Sequence, residues 1–302
     1  MGYFDFLPNI AYPNYEGGSV IAKNIVTRAK VLDSVREAQS AALEYTVEDG
    51  EKPETLAFRV YGRADYHWLI LLFNEIHDPY FKWVMSVDEL ARHMEASYTG
   101  KALFIDPTRM LDSDRAQNFD RRRKHLQTGD LIEQRNNLGA VVATATVESF
   151  DPNLYKVVVD VVSGSFRLQG EAARFSSVIA DRTLLLRDLT TVTTDGITVT
   201  MPLVRITDDN RYALNRFENA DEETISPWFA PTANPSPLID RYVLGRDESI
   251  PMGDDAGGED LGDATIVTNI MHEERVNDAK RTIRVMRPEY IDLVLRDLRR
   301  LF

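Results

Sequence analysis

The chain predicts an α+β protein: a strand-helix-helix-strand domain, an inserted small all-β barrel or sandwich, and a C-terminal strand-helix block. Three observations carry this prediction. Residues 49–83, DGEKPETLAFRVYGRADYHWLILLFNEIHDPYFKW, hold two helical patterns and eight of the chain's 28 aromatics, where an even spread would place about three. From Asp130 to about Ile206, short β-branched runs alternate with turn signals. From Lys280 to Phe302, a short β-branched run leads into an apolar stripe at helical spacing.

In chain order, residues 1–42 read as an N-terminal wrapping arm. Tyr3, Phe4, Phe6, Tyr12 and Tyr15 are interrupted by Pro8, Pro13 and Gly17-Gly18, which prevents a regular helix. Residues 19–42 fit helix and strand templates equally. Residues 43–111 form the next domain, opening with a strand at Leu43 to Val47 and a turn at Asp49-Gly50. Pro53 suits a first helical position, Gly62 a left-handed cap, and Asp65 the cap of a second helix. That second helix, Trp68 to Phe73, is apolar on every side, so it must be covered all round. After Asn74 the chain exits through Asp78-Pro79 into Tyr80, Phe81 and Trp83. Ser86 and Glu89 then have capping-box spacing, and Ala102 to Ile105 closes the order as a strand.

Residues 112–206 form the inserted β-rich domain. Its expected strands are Ala140 to Glu148, Tyr155 to Val162, Phe166 to Leu168, Phe175 to Ile179, Leu184 to Arg187 and Ile197 to Ile206. Residues 207–263 read as an extended acidic and proline-rich connection, solvated where acids dominate from 246 to 263. Residues 264–302 read as a hairpin around Asn277-Asp278 followed by a helix striped with Ile291, Val294, Leu295, Leu298 and Leu301.

A net charge of −13 speaks against nucleic acid as a ligand, since phosphate binding needs a basic surface. No cysteine is present, which excludes disulfides, thiolate zinc sites and a cysteine nucleophile. The N-terminus lacks a signal-peptide pattern and no run approaches a membrane span, so a soluble protein without a classical export signal is expected. His272-Glu273-Glu274-Arg275-Val276 is the nearest approach to a zinc-protease motif, but Val276 stands where the second histidine belongs. The five histidines, the acids near 255 and the basic run Arg121 to Lys124 read as ordinary solvated groups. No nucleophile elbow or phosphate loop occurs. No catalytic residue, metal, cofactor or small-molecule substrate is therefore expected.

Partner contact is the reading that remains. Tyr66, Asp78, Tyr80, Phe81 and Trp83, with Arg284, Arg287, Leu298 and Arg299 in the basic C-terminal block, are the candidate interface residues, because Trp, Tyr and Arg are enriched in hot spots. The competing reading is that the aromatics and the last helix pack on their own domain.

The strand-helix-helix-strand order, with PETLA opening the first helix and YG ending it, resembles a LysM module, a fold often used to bind N-acetylglucosamine polymers. DGEKPETLAFRVYG, DYHWLILLFNEIHDPYFKW and NDAKRTIRVMRPEYIDLVLRDL together resemble the protein 53 family of baseplate wedge subunits in T-even-type contractile-tail phages. Pro53, Leu56, Ala57, Tyr61, Gly62, Trp68, Asn74, Asp78, Pro79, Tyr80 and Trp83 carry that resemblance most specifically. It implies a non-enzymatic virion structural protein, made in the bacterial host cytoplasm and placed in the tail baseplate. Its implied partners are other wedge proteins, such as wedge scaffold and sheath-initiator-like subunits, and adjacent wedges around the tail hub. Nucleic acid and membrane are not among them. The β-rich insertion departs from short family members. The alternative is a LysM-type peptidoglycan-binding protein.

Overall fold

Pro8 and Pro13 limit the first residues to a 3-10 turn at Tyr3–Phe6 and the strand β1 (Asn9–Pro13), which pairs antiparallel with β2 (Ser19–Lys23). The structure, a computed structural model, describes residues 3–13, 15, 17–27, 30–31, 40–105, 126–136, 139–168, 186–192, 198–201, 203–227, 239, 242 and 264–301. Two compact units make up the chain, one of residues 1–92 with 273–302 and one of residues 93–272.

In the first unit β3 (Ala42–Thr46) precedes helix α1 (Pro53–Tyr61), where Pro53 takes the first turn because its missing N–H has no helical partner there. Gly62 ends α1 at φ 70°, donating its N–H to Phe58 O at 2.9 Å, a left-handed cap that a Cβ would strain. Helix α2 (His67–Phe73) follows a 3-10 turn at Ala64–Tyr66, so Asp65 lies within that turn and is not the cap. Asp78 caps the one-turn helix α3 (Pro79–Lys82). The expected capping box opens α4 (Val87–Ser97): Ser86 N–H donates to Glu89 Oε2 at 3.1 Å, and Glu89 N–H to Ser86 Oγ at 3.3 Å.

The second unit is built on one antiparallel sheet. Its strands are β4 (Lys101–Ile105), β5 (Leu131–Asn136), β6 (Val141–Asp151), β7 (Lys156–Gly164), β8 (Leu186–Val192), β9 (Thr198–Met201) and β10 (Leu203–Thr207). They lie in the order β10-β4-β7-β6-β5-β8-β9. A flat sheet of seven strands would hold its edges roughly 29 Å apart at about 4.8 Å per strand. Only Pro202 separates β9 from β10, and one residue spans at most about 7 Å, so the sheet must curl until the adjoining ends of its two edge strands come that close. The expected barrel or sandwich is thus a curled sheet, and the run from 197 to 206 is two strands, since a proline cannot donate to a ladder.

Gly100, at φ 76°, leads into β4, and a Cβ there would run into the carbonyl oxygen of Val159. β4 was expected to close the first domain, but it pairs with β7 and β10 instead. Ala102, Leu103, Phe104 and Ile105 are all buried, so this strand needs cover on both faces, and the large sheet supplies it. Residues 166–168 form no strand, and the runs 175–179 and 246–263 lie outside the described residues. The stretch read as a connection contains a 3-10 turn at Asn210–Tyr212, β11 (Leu214–Glu218) and β12 (Thr224–Ile225). β11 pairs with β12 and with β13 (Thr265–Thr268). Tyr242 stacks edge-on against Phe104 and Phe217, at 5.4 and 6.1 Å between centroids, within the core of this unit.

The C-terminal hairpin does not form. Residues Asn269–Ala279 are helix α5, with Asn277 inside it, and β14 (Thr282–Met286) pairs antiparallel with β3, Glu44 opposite Arg284. Helix α6 (Ile291–Leu301) then buries Ile291, Leu295 and Leu298 and half-buries Val294, as the stripe predicts; the side chain of its fifth member, Leu301, lies outside what is described. The all-round cover expected of α2 is met at Trp68, Leu69, Ile70 and Phe73 and only in part at Leu71 and Leu72. Trp68, Leu69 and Phe73 meet Phe6, Met286 and α6, while Ile70 joins Leu56, Ala57, Trp83, Ile283 and Val285; Leu71 and Leu72 are half-buried. Each fully buried large side chain of this kind contributes about 1.5–3 kcal/mol.

Candidate functional site

Asp78 starts the site by accepting the Tyr80 N–H at 3.1 Å on its Oδ1, which fixes the first turn of α3. Pro79 presets the backbone, and Lys82 N–H closes the turn on Asp78 O at 2.9 Å. Trp83 folds inward, 8% exposed, and its indole N–H donates to Glu51 O at 2.8 Å. Lys280 Nζ donates to Phe81 O at 3.1 Å. Two residues past Trp83, Asn277 grips Met85 from both sides: its Oδ1 accepts the Met85 N–H at 2.8 Å and its Nδ2 donates to Met85 O at 2.9 Å. Tyr80 and Phe81, 90% and 78% exposed, therefore project from a turn whose backbone is anchored by four neighbours.

The floor beneath Trp83 is polar and centres on the Glu51 carboxylate. Glu51 is buried; its Oε2 accepts the Tyr45 hydroxyl at 2.8 Å, and its Oε1 lies 3.2 Å from Arg59. Arg59 also reaches Glu48 at 3.1 Å. Burial, then the Glu51 carboxylate, pushes the Tyr45 hydroxyl up to about 12.

The nine expected interface residues fall into different settings. Asp78, Tyr80 and Phe81 share the projecting turn. Trp83 and Leu298 are core, at 8% and 4% exposure in separate clusters. As docking anchors these two are corrected, because a side chain spent on its own core offers no area to a neighbour. Tyr66 is half-buried beside Tyr61, with the Arg63 guanidinium 4.9 Å from its ring centroid. Arg284 and Arg299 are exposed. Arg287 is half-buried, and its backbone N–H donates to Ala41 O at 3.0 Å.

Asn277 and Asn74 were not recognised as positioning groups. Asn74 Oδ1 accepts the Arg284 N–H at 2.9 Å, and its Nδ2 donates to Arg284 O at 2.7 Å and Ile70 O at 2.8 Å. Its place directly after an apolar helix was the available signal for a polar cap. Nothing local points Asn277 at Met85, 192 residues away.

Among the described residues no group of three or more His, Asp or Glu could hold a metal, and no helix is long and apolar enough to cross a membrane. Fold and site together define an α+β protein that presents a supported aromatic knob. Sequence similarity adds a likeness over part of the chain: residues 7–101 match the family model described as base plate wedge protein 53. The resemblance to that family is thereby shown over this stretch. The chain is also 36% identical over 42 residues to the baseplate wedge protein gp53 of Enterobacteria phage T4, covering 14% of this chain and 21% of that protein. It thus spans about a fifth of the length of the curated relative it matches.

Proposed function

We propose that the chain is a non-enzymatic structural subunit of a phage tail baseplate wedge. It clamps neighbouring wedge subunits together in the sixfold inner baseplate. The observation that carries this reading is the Tyr80–Phe81 pair, almost fully exposed on a turn held by Asp78, Trp83, Lys280 and Asn277, within the residues that match the family. Large aromatic side chains on a preorganised backbone lose little entropy on binding, which suits them as anchors. Asp78 belongs to that turn, and Arg284 and Arg299, both exposed, with Tyr66 and Arg287, are further contacts to acidic neighbours in this reading. The partners are other wedge proteins, including wedge scaffold and sheath-initiator-like subunits, and adjacent wedges around the tail hub. The protein is made in the host cytoplasm and resides in the virion baseplate.

The test is reconstitution of a wedge from the same phage's tail proteins. The double variant Tyr80→Ala, Phe81→Ala should melt like the unaltered protein yet fail to enter the assembly. Normal incorporation would refute the reading.

A second reading is favoured by β3, α1 and α2 with β14 closing on β3, a set that suits a LysM-like domain binding N-acetylglucosamine polymers. Retention on purified peptidoglycan, together with no incorporation into a wedge, would put this reading first.

A further inference from the structure

Hydrogen-bond direction in the β3–β14 pair shows which backbone groups are used and which are spare. Val47 N–H donates to Arg281 O at 2.9 Å and Arg287 N–H to Ala41 O at 3.0 Å, at the two ends of the pair. Backbone groups alternate along a strand, so Leu43 and Tyr45 face β14, and those of Ala42, Glu44 and Thr46 project from the opposite edge. On β14 the same alternation sends the groups of Arg284 and Met286 away from β3. Both are met by side chains: Asn74 takes the Arg284 N–H and carbonyl, and the Tyr61 hydroxyl donates to Met286 O at 3.1 Å. The outer edge of β14 is thus occupied by its own chain at Arg284 and at the Met286 carbonyl.

Among the described residues, the outer edge of β3 has no such contact. Among the described residues no strand lies beside it. Leu43 is 46% exposed, and Glu44 and Thr46 are exposed. Protein edges are ordinarily blunted by proline, lysine or a bulge; ALEYT contains neither residue, and its register with β14 is unbroken.

We infer that the edge of β3 at Ala42, Glu44 and Thr46 docks an extended strand of a different protein, with a basic residue opposite Glu44 and apolar neighbours that cover Leu43. Charge selects this occupant. Two copies pairing their β3 edges antiparallel in full overlap would set Glu44 directly against Glu44, and like charges opposite one another destabilise a sheet. Each copy also carries −13. A basic residue in that place instead extends the row begun by Arg284 and Glu44. The inference rests on the wedge reading, and names a second contact distinct from the Tyr80–Phe81 knob.

Hydrogen exchange of the peptide covering residues 40–47 tests it, comparing the purified protein with the protein in the reconstituted wedge. The Ala42, Glu44 and Thr46 amides should exchange freely in the first and become protected in the second. Glu44→Pro removes an outward N–H and leaves the β14 bonds intact, so it should lower wedge incorporation about tenfold. Glu44→Lys, which keeps the backbone whole, should lower it as well. Incorporation of the unaltered protein with no new protection in β3, or normal incorporation of both variants, overturns the inference and spares the wedge reading. Failure of the unaltered protein to incorporate overturns both. Protection that rises with concentration in the purified protein alone would assign the edge to a second copy and overturn the stated occupant.

Discussion

Asn74→Ala should destabilise the first unit by about 2–3 kcal/mol, and the structure shows why one amide is worth so much. It removes a donor to Ile70 O at 2.8 Å, a donor to Arg284 O at 2.7 Å and an acceptor for Arg284 N–H at 2.9 Å. A net hydrogen bond is worth about 0.5–1.5 kcal/mol. Ile70 is buried, so its lost bond lies toward the upper end, while the exposed groups of Arg284 recover part of their loss from water. Asn74→Asp separates geometry from charge: it retains the acceptor but sets a carboxylate against two carbonyl oxygens, so it should cost more than alanine at neutral pH and less once protonated. Urea unfolding followed by Trp68 and Trp83 fluorescence, in a Trp228→Phe background, reads the first unit directly. A loss below about 0.5 kcal/mol for Asn74→Ala, within the usual range of surface changes, would show that the amide does not hold this edge.

The other expectations concern the core, the caps and the turns. Trp83→Ala should cost about 3–5 kcal/mol by emptying a buried site, while Tyr80→Ala and Phe81→Ala should each stay within about 0.5 kcal/mol; thermal melts that fail to separate them would reverse the inside and outside assignments. Ser86→Ala should cost about 1 kcal/mol in urea unfolding. Glu89 is held below its ordinary value of 4.5 first by the Ser86 N–H bond. A lowered folded value means its stabilisation is present above about pH 4.5 and is lost as pH falls through the folded value, so Glu89→Gln should flatten the acid side of the stability profile. Gly62→Ala should cost about 1 kcal/mol for its left-handed backbone, and Gly100→Ala more, because backbone at Val159 must move; equal losses in melting would contradict the second part.

Local chemistry made much of the first unit legible. Pro53, Gly62, the Ser86–Glu89 box, the all-round apolar α2 and the striped α6 were each set by neighbours a few residues away, where backbone geometry and hydrophobic spacing leave few options. The exposed anchors were legible in kind and not in orientation: Tyr80, Phe81 and Trp83 have similar composition, yet Trp83 turns in to reach Glu51 O and the other two turn out.

Strand partnership was decided only by the tertiary structure. The run at 102–105 is a strand either way, but its burial on both faces sends it to the large sheet, and β14 takes the place beside β3 from 240 residues later, Leu43 opposite Val285. Asn277 sits in a dipeptide that suits a turn, yet in a helix it holds Met85. A ladder hydrogen bond is the same whatever segment supplies it, so no short pattern says which strand answers which. The sequence alone determined how α1 begins and ends, how α4 begins and which faces of α2 and α6 need cover; long-range closure of the chain determined what covers them, because only the assembled core can compare one candidate partner with another.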